Sequence, residues 1–230
     1  AGMGILSALG FTFEDEHGQQ LSPCGENLGH VKKVRIPASI PDVVIQIACD
    51  VQNTLYGPSG AAYVYAPQKG ASPEQVGFLD KGLRNFADTL FNTTGRSVSD
   101  IPGTGAAGGI AAGLLSFFNV ELIQGIEMII NASELKGKIK EAGLIITGEG
   151  RIDNQSGEGK VVGYMAALAM QHHIPCIAVC GQSELDAASE MQLGLKKIIA
   201  LKDENGSVEY AMAEAESLLI KKLSAYLINQ

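Results

Sequence analysis

The 230-residue sequence has no tryptophan, no long apolar run and no concentration of basic residues. A membrane-spanning helix needs about 20 consecutive apolar residues, and no segment approaches that length. The net charge is −8, and no run of Lys and Arg exceeds two residues. Nucleic-acid binding depends largely on the neutralisation of phosphates by clustered cations. The composition therefore argues against both a membrane protein and a nucleic-acid partner.

Cysteine is also scarce, with four residues at Cys24, Cys49, Cys176 and Cys180 and no C-x-x-C pair. This scatter favours buried, reduced thiols in a cytoplasmic protein over a disulfide framework or a zinc site. The opening segment AGMGILSALG has neither an initiator Met nor a signal-peptide pattern. We therefore expect that the natural N-terminus precedes Ala1.

Glycine, by contrast, is abundant: its 28 residues are about twice the usual share. Outside a repeat, such an excess indicates tight turns or backbone that approaches a ligand closely. The clearest helix follows Ser72, because Pro73 and Gln75 complete a capping-box pattern and Gly95 ends the apolar periodicity. Residues 43–51, VVIQIACDV, predict a strand covered on both faces, and a helix is predicted over 121–131.

From residue 133 onward, predicted helices alternate with the strands 144–148, 176–180 and 196–201. Such alternation predicts an α/β fold with a parallel sheet and helices on both of its faces. We place a domain boundary near residue 131. Ligands of parallel α/β sheets bind at the carboxyl ends of the strands. The segments GEGRIDNQSGEGK and GQSELD, which follow the first two strands, are therefore the candidate ligand loops.

Two glycine motifs resemble nucleotide-binding signatures without satisfying them. Gly103, Gly105 and Gly108 fit G-x-G-x-x-G, but the preceding RSVSDIP does not predict the strand that this fingerprint requires. A nicotinamide cofactor, close helix packing and contact with a phosphate all remain open for these glycines. Lys160 follows Gly159 as in a Walker A loop, but the next residue is valine instead of Ser or Thr. Lys160 is either an anion contact at a helix start or a solvated lysine.

The loop GEGRIDNQSGEGK concentrates charged groups, namely Glu149, Arg151, Asp153, Glu158 and Lys160. Phosphoryl transfer needs carboxylates to hold Mg²⁺ and cations to neutralise phosphates, and both types are present. The alternative is a solvated charged loop, although its four glycines favour a functional role.

A second cluster combines Asp50 with Asn53, Gln68 and Lys69. Asp50 ends a predicted buried strand, where a charge is costly without a partner. It could bind a metal, act as a base or cap the following turn, and the spacing leaves these three roles open.

Taken together, four segments resemble the glycerate kinase family of the bacterial tartronate and glucarate pathways. They are GMGILSALG, IACDVQNTLYGPSGAAYVYAPQKGAS, IPGTGAAGGIAAGLLSFF and LIITGEGRIDNQSGEGKVVGYMA. The resemblance covers the chain to about residue 202, in the family's order. It implies transfer of the ATP γ-phosphate to the 2-hydroxyl of D-glycerate with Mg²⁺. It also implies two α/β domains: an inserted domain, in part, over 1–131, and the C-terminal half of a Rossmann-like domain over 132–230.

Carried onto this sequence, the resemblance favours the motif residues Asp50, Asn53, Gln68, Lys69, Glu149, Arg151 and Asp153 without fixing their individual roles. As our own hypothesis, Asp50, Asp153 and Arg151 are catalytic residues, and Glu149 with Asp153 are metal ligands. Substrate or phosphate contacts are assigned to the remaining candidates, which are Asn53, Gln68, Lys69, Gly105 and Lys160.

The family's N-terminal third is not represented in this sequence. A half-built parallel sheet would expose an apolar edge, so we expect a homodimer or pairing with a separate N-terminal segment. The alternatives are an inactive fragment that still binds ligand, a kinase for a related hydroxy acid, and a nicotinamide-dependent dehydrogenase.

Overall fold

The computed structural model describes residues 1–153, 161–203 and 205–228. These residues form two compact units, Ala1–Gly125 and Ile126–Gln230. The boundary predicted near residue 131 lies close to the end of the helix Gly125–Ala132, whereas the observed division lies at the start of that helix. In neither unit do the described residues include a helix long and apolar enough to cross a membrane.

Unit 1 contains two small sheets and four α-helices. The helices are α1 (Met3–Ala8), α2 (Ala61–Tyr65), α3 (Pro73–Thr94) and α4 (Ile110–Phe117). The strands β1 (Thr12–Glu14) and β2 (Lys33–Arg35) pair antiparallel, and β3 (Val44–Ala48) pairs parallel with β4 (Asn119–Ile123). Short 3-10 turns cover Gly25–Asn27, Pro67–Lys69 and Ala106–Gly108. The core forms around fully buried side chains, including Leu6, Phe11, Phe13, Phe86 and Leu90.

Helix α3 confirms the prediction made from its capping pattern. The hydroxyl of Ser72 accepts from the Gln75 amide at 3.3 Å, and the Gln75 side chain accepts from the Ser72 amide at 2.8 Å. Gly95 ends the helix in the left-handed conformation, with φ 72°. The apolar stripe that the periodicity predicts is buried at Val76, Leu83, Phe86 and Leu90.

Two predictions about the central strands of unit 1 are wrong. Strand β3 is not covered on both faces, because Ile45 and Ile47 pack against the core while Val44 remains 57% exposed. Residues 119–123, which the sequence assigned in part to a helix, form β4, paired from Val44 with Asn119 to Ala48 with Ile123. Helix α5 (Gly125–Ala132) begins only after that strand. Pairing with a strand some 75 residues away overrides the local helical pattern.

The described residues of unit 2 form a three-stranded parallel sheet with helices. The strands β5 (Ile145–Ile152), β6 (Cys176–Ser183) and β7 (Lys197–Ala200) lie in the order β5-β6-β7. The remaining helices are α6 (Leu135–Ile139), α7 (Val161–Gln171), α8 (Ala187–Gln192), α9 (Val208–Ala213) and α10 (Ala215–Ile228). The predicted alternation of helices and strands is confirmed.

The first two strands of unit 2 are longer than predicted. Strand β5 continues to Ile152 and β6 to Ser183, with Arg151 still in register with Gln182. Glu149 and Arg151 therefore belong to a strand and not to the loop in which the sequence placed them. The extension persists because neighbouring strands supply ladder hydrogen bonds, which local sequence does not report.

Candidate functional site

Asp50 is the second residue after β3, and it is exposed. Its Oδ1 accepts a 2.9 Å hydrogen bond from the amide of Gly125, two residues after β4. The carboxylate thus lies at the carboxyl ends of both strands, where parallel sheets bind ligands. This hydrogen bond to the Gly125 amide is a capping contact of the kind that the sequence left open for Asp50. Oδ2 of Asp50 has no hydrogen bond among the described residues, so it can contact a ligand.

Asn53 joins three segments of unit 1. Its Nδ2 donates to the carbonyl of Ser59 at 2.8 Å, and its Oδ1 accepts from the hydroxyl of Tyr65 at 2.6 Å. Its backbone carbonyl accepts from the amides of Gly103 at 3.1 Å and Gly105 at 2.9 Å. The amide side chain is therefore held in one orientation, and Tyr65 is a site residue that the sequence reasoning missed.

Close contacts explain why the two positions bonded to the Asn53 carbonyl, Gly103 and Gly105, are glycine. A Cβ on Gly105 would overlap the carbonyl oxygen of Thr54, and one on Gly103, whose φ is 91°, would lie 2.9 Å from Sγ of Cys49. Residues 95–102 form no strand, so the context of a dinucleotide fingerprint is not met. Close packing accounts for both glycines, and a phosphate contact by Gly105 stays a prediction.

Gln68 and Lys69 lie on the 3-10 turn that follows α2, and both are exposed. Lys69 lines a cavity of about 440 Å³, which is otherwise mainly apolar and also bounded by Tyr65, Met3 and Leu83. Tyr65 thus connects the Lys69 cavity to Asn53. The side chain of Gln68 forms no hydrogen bond within the described part of the chain.

In unit 2, Glu149 and Arg151 lie two positions apart near the end of β5, and Asp153 follows the strand directly. Oε2 of Glu149 is buried and has no hydrogen-bond partner among the described residues. Asp153 is half-buried, and its charge contributes to raising the pKa of Arg151. A buried carboxylate oxygen without a partner is costly, and a bound cation would satisfy it.

Arg151 is paired with a residue that the sequence reasoning did not single out. Its guanidinium donates to Oε1 of Glu184 at 2.5 Å, and the Glu184 amide donates to the carbonyl of Ile152 at 3.0 Å. The hydrogen bond and charge of Glu184 are the main reason that the pKa of Arg151 is raised. Glu184 belongs to GQSELD, the segment that was predicted to be a ligand loop because it follows a strand.

The donor set is compatible with magnesium, although no group of three His, Cys, Asp or Glu side chains is assembled among the described residues. Mg²⁺ commonly takes one or two protein carboxylates and completes its shell with water and substrate phosphates. Glu149, with its orphaned oxygen, and Asp153 fit that requirement. Lys160 and Glu158 lie outside the described residues.

Comparison with known proteins identifies the family. The model of the glycerate kinase family matches residues 1–227. The chain belongs to the glycerate kinase family. It is 36% identical over 221 residues to a glycerate kinase of Halalkalibacterium halodurans and 36% identical over 217 residues to the glycerate 2-kinase of Escherichia coli. These alignments cover 95% and 93% of the chain.

A solved structure supports the fold of this glycerate kinase family member. The crystal structure of a putative glycerate kinase 2 from Salmonella typhimurium superimposes with a TM-score of 0.80 at 31% identity, covering 99% of the chain. The resemblance and the α/β fold class inferred from the sequence are thereby confirmed. The chain spans less than two thirds of these proteins: 58% of the Halalkalibacterium protein, 57% of the Escherichia protein and 61% of the Salmonella chain.

Proposed function

We propose that this protein is an ATP-dependent kinase that phosphorylates the 2-hydroxyl of D-glycerate. The observation that carries the proposal is the family match over residues 1–227. The relatives named glycerate kinase and glycerate 2-kinase support the substrate. The carboxylates at the ends of parallel strands in each unit supply the side chains that such a reaction needs.

In the proposed reaction, the hydroxyl oxygen of glycerate forms a bond to the γ-phosphorus while the bond from that phosphorus to the bridging oxygen of ADP breaks. The hydroxyl proton passes to a carboxylate, for which Asp50 and Asp153 are the candidates. Asp50 is suited to this role because the Gly125 amide orients one oxygen and leaves the other available. These events require positioning and charge stabilisation more than covalent chemistry by the protein.

The other candidate residues would bind Mg²⁺ and the substrates and neutralise the negative charge of the phosphates. Glu149 and Asp153 would hold Mg²⁺, which supplies positive charge to the phosphate oxygens. Arg151 and Lys69 would bind the substrate carboxylate or the phosphates, because guanidinium and ammonium groups donate to such oxygens. Contacts to substrate or phosphate by Asn53, Gln68, Gly105 and Lys160 belong to the same proposal.

The test is an ADP-release assay with ATP and D-glycerate on the wild type and on Asp50→Asn and Asp153→Asn. Asparagine at position 50 retains an acceptor for the Gly125 amide, so the fold should persist while the charge is lost. We expect at least one variant to lose about 100-fold or more in kcat. The matched control is Asp42→Asn, an exposed carboxylate close to the start of β3, which should keep normal turnover.

Product identification completes the test. Phosphorus–proton NMR of the product distinguishes 2-phosphoglycerate from 3-phosphoglycerate. Near-normal rates for both aspartate variants would exclude the catalytic roles proposed for Asp50 and Asp153. A wild-type protein that releases no ADP with D-glycerate would remove the proposed activity for this chain.

A further inference from the structure

Cys49 lies between β3 and Asp50, and it is half-buried. Its backbone amide donates to the carbonyl of Ile123 at 2.8 Å, which continues the pairing of β3 with β4 by one residue. The sheet therefore holds the backbone of Cys49 in place. Its thiol starts from this fixed point, one residue before the Asp50 carboxylate.

The thiol connects two segments that are far apart in sequence. Its Sγ lies 3.3 Å from the carbonyl oxygen of Val51 and 3.6 Å from the carbonyl oxygen of Gly103. A thiol is a weak donor with one proton, so the two carbonyls share that proton. The first contact spans Asp50, because it joins the residues on either side of it. The second contact joins the same segment to a turn 54 positions later.

The segment from Asp50 to Gln52 has few other attachments. Among the described residues, its backbone amides and carbonyls form no hydrogen bond to another backbone group. The Asp50 carboxylate accepts from the Gly125 amide, and the Val51 carbonyl accepts from the Cys49 thiol. Without the thiol, the Val51 peptide would be free to rotate, and the adjoining backbone of Asp50 would move with it. The position of the candidate carboxylate thus depends on Sγ of Cys49.

The turn that receives the thiol is itself well anchored. Thr104 is fully buried, and its hydroxyl donates to the carbonyl of Ile101 at 2.7 Å. The amide of Gly103 donates to the carbonyl of Asn53 at 3.1 Å. Gly103 therefore contacts Cys49 through its carbonyl and Asn53 through its amide, which closes a ring of hydrogen bonds around the intervening loop. A side chain at position 103 would displace the thiol, since its Cβ would lie 2.9 Å from Sγ.

We infer that Cys49 is a positioning residue for the proposed reaction: its thiol holds the loop from Asp50 to Asn53 against the Gly103 turn and so determines where the Asp50 carboxylate lies. In this role Cys49 acts through Asp50 and does not itself contact the reacting atoms. A misplacement of about 1 Å in a reacting group can lower turnover about 100-fold. The inference rests on the proposed kinase function for its effect on turnover, whereas the hydrogen bonds of the thiol do not depend on that function.

Two substitutions separate hydrogen bonding by the thiol from the space that it fills. Cys49→Ser keeps a donor on a smaller side chain, whereas Cys49→Val keeps an apolar side chain of similar size without a donor. If the hydrogen bonds hold the loop, serine should be the better replacement. If packing alone matters, valine should be the better one. Ile47→Val is the matched control, because it removes one methyl group two positions earlier on β3, where Ile47 packs against the core.

The first measurement is steady-state ADP release with ATP and D-glycerate. Cys49→Val should lower kcat about tenfold, because the Asp50 carboxylate is misplaced. Cys49→Ser should stay within about threefold of the wild type, because a hydroxyl still donates to the same carbonyls. Ile47→Val should keep the wild-type kcat. Urea unfolding of the same proteins shows whether each variant is folded.

The second measurement does not require turnover. Amide hydrogen exchange, followed by NMR, reports how often the hydrogen bonds to the Asn53 carbonyl open. The amides of Gly103 and Gly105 donate to that carbonyl. Both amides should exchange about tenfold faster in Cys49→Val than in the wild type or in Cys49→Ser. Ile47→Val should not change their exchange.

The outcomes separate this inference from the proposed function. It is overturned if Cys49→Val matches the wild type in both kcat and exchange, or if serine impairs them more than valine does. Normal kcat in Cys49→Val together with faster exchange would leave the kinase function standing and remove the positioning role. A wild type that releases no ADP would remove the kinase function. In that case faster exchange in Cys49→Val alone would support the hold of the thiol on the loop, and equal exchange would overturn it.

Discussion

The hydroxyl of Tyr65 donates a 2.6 Å hydrogen bond to Oδ1 of Asn53, joining the end of α2 to the loop that follows β3. The same Asn53 side chain donates to the Ser59 carbonyl at 2.8 Å. Its backbone carbonyl meanwhile receives the amides of Gly103 and Gly105. Tyr65 therefore determines which way the Asn53 amide points, and any ligand contact by Asn53 depends on that hydroxyl.

Replacing Tyr65 by phenylalanine should uncouple the amide from α2. We expect a stability loss of about 0.5–1.5 kcal/mol, typical of one hydrogen bond, and about a tenfold fall in kcat/KM for D-glycerate. Urea unfolding and steady-state kinetics measure the two effects. Tyr63→Phe is the control, since Tyr63 lies on the same helix and is 48% exposed. Equal kinetics for the two variants would contradict the role given to Tyr65.

The side chain of Asp80, on α3, is hydrogen-bonded to the same loop after β3. It is 7% exposed, and its Oδ1 accepts from the Gly57 amide at 2.6 Å, while Arg84 lies 3.8 Å from Oδ2 and 4.2 Å over the Tyr56 ring. Asp80→Ala leaves the Gly57 amide without its partner, so the free energy of unfolding should fall by about 1–3 kcal/mol. Urea denaturation is the measurement.

Two further variants test the Asp80 prediction. Asp80→Asn retains an acceptor oxygen and should recover most of the lost stability. Asp88→Ala removes an exposed carboxylate from the same helix and should change stability by less than about 0.5 kcal/mol. A comparable loss in Asp88→Ala would mean that helix charge, and not the Gly57 contact, explains the effect.

The features that could be predicted from sequence are those encoded by near neighbours. The Ser72–Gln75 capping box and the α3 stripe depend on residues within a few positions, so a single sequence suffices to identify them. The parallel order of unit 2 followed from the alternation of helices and strands. The apolar run 43–51 likewise placed Asp50 at the end of its strand, whereas Glu149, predicted to lie in a loop, is part of β5.

The features that were missed depend on partners distant in sequence. Strand β4 forms by pairing with β3 across a long intervening segment, and Glu184 reaches Arg151 across 33 positions. Neither contact has a local signature. The role of Asp80 could have been predicted from the sequence. It lies four residues after Val76 on the apolar stripe of α3, where a buried carboxylate needs a partner.

Burial predicts a sharp difference among the cysteines, all of which are free. Desolvation raises the pKa of both Cys176 and Cys180 to about 11, whereas Cys24 is exposed. At pH 8 a thiol of that pKa is only about 0.1% thiolate, the reactive form. Iodoacetamide should therefore label Cys24 in the folded protein and reach Cys176 and Cys180 quickly only in urea. Peptide mass spectrometry over time measures this order, and equal labelling of Cys176 and Cys24 at pH 8 would contradict it.

The orphaned oxygen of Glu149 leads to a prediction about magnesium. If Mg²⁺ binds there, it stabilises the folded protein through a group that the unfolded chain does not assemble. At free Mg²⁺ ten times its Kd, the wild type should gain about 1.4 kcal/mol in unfolding free energy. Glu149→Gln should lose most of that gain, because an amide oxygen is a much weaker magnesium ligand than a carboxylate.

Urea unfolding with and without Mg²⁺ measures this difference independently of turnover. Glu141→Gln is the control, since Glu141 is an exposed carboxylate of the same unit and should respond to Mg²⁺ as the wild type does. In the ADP-release assay, the Mg²⁺ concentration for half-maximal rate should rise about tenfold for Glu149→Gln alone. An equal Mg²⁺ response in Glu149→Gln and the wild type would exclude Glu149 as a metal ligand. Its buried oxygen would then require a different partner, because a carboxylate oxygen removed from water does not remain unpaired without cost.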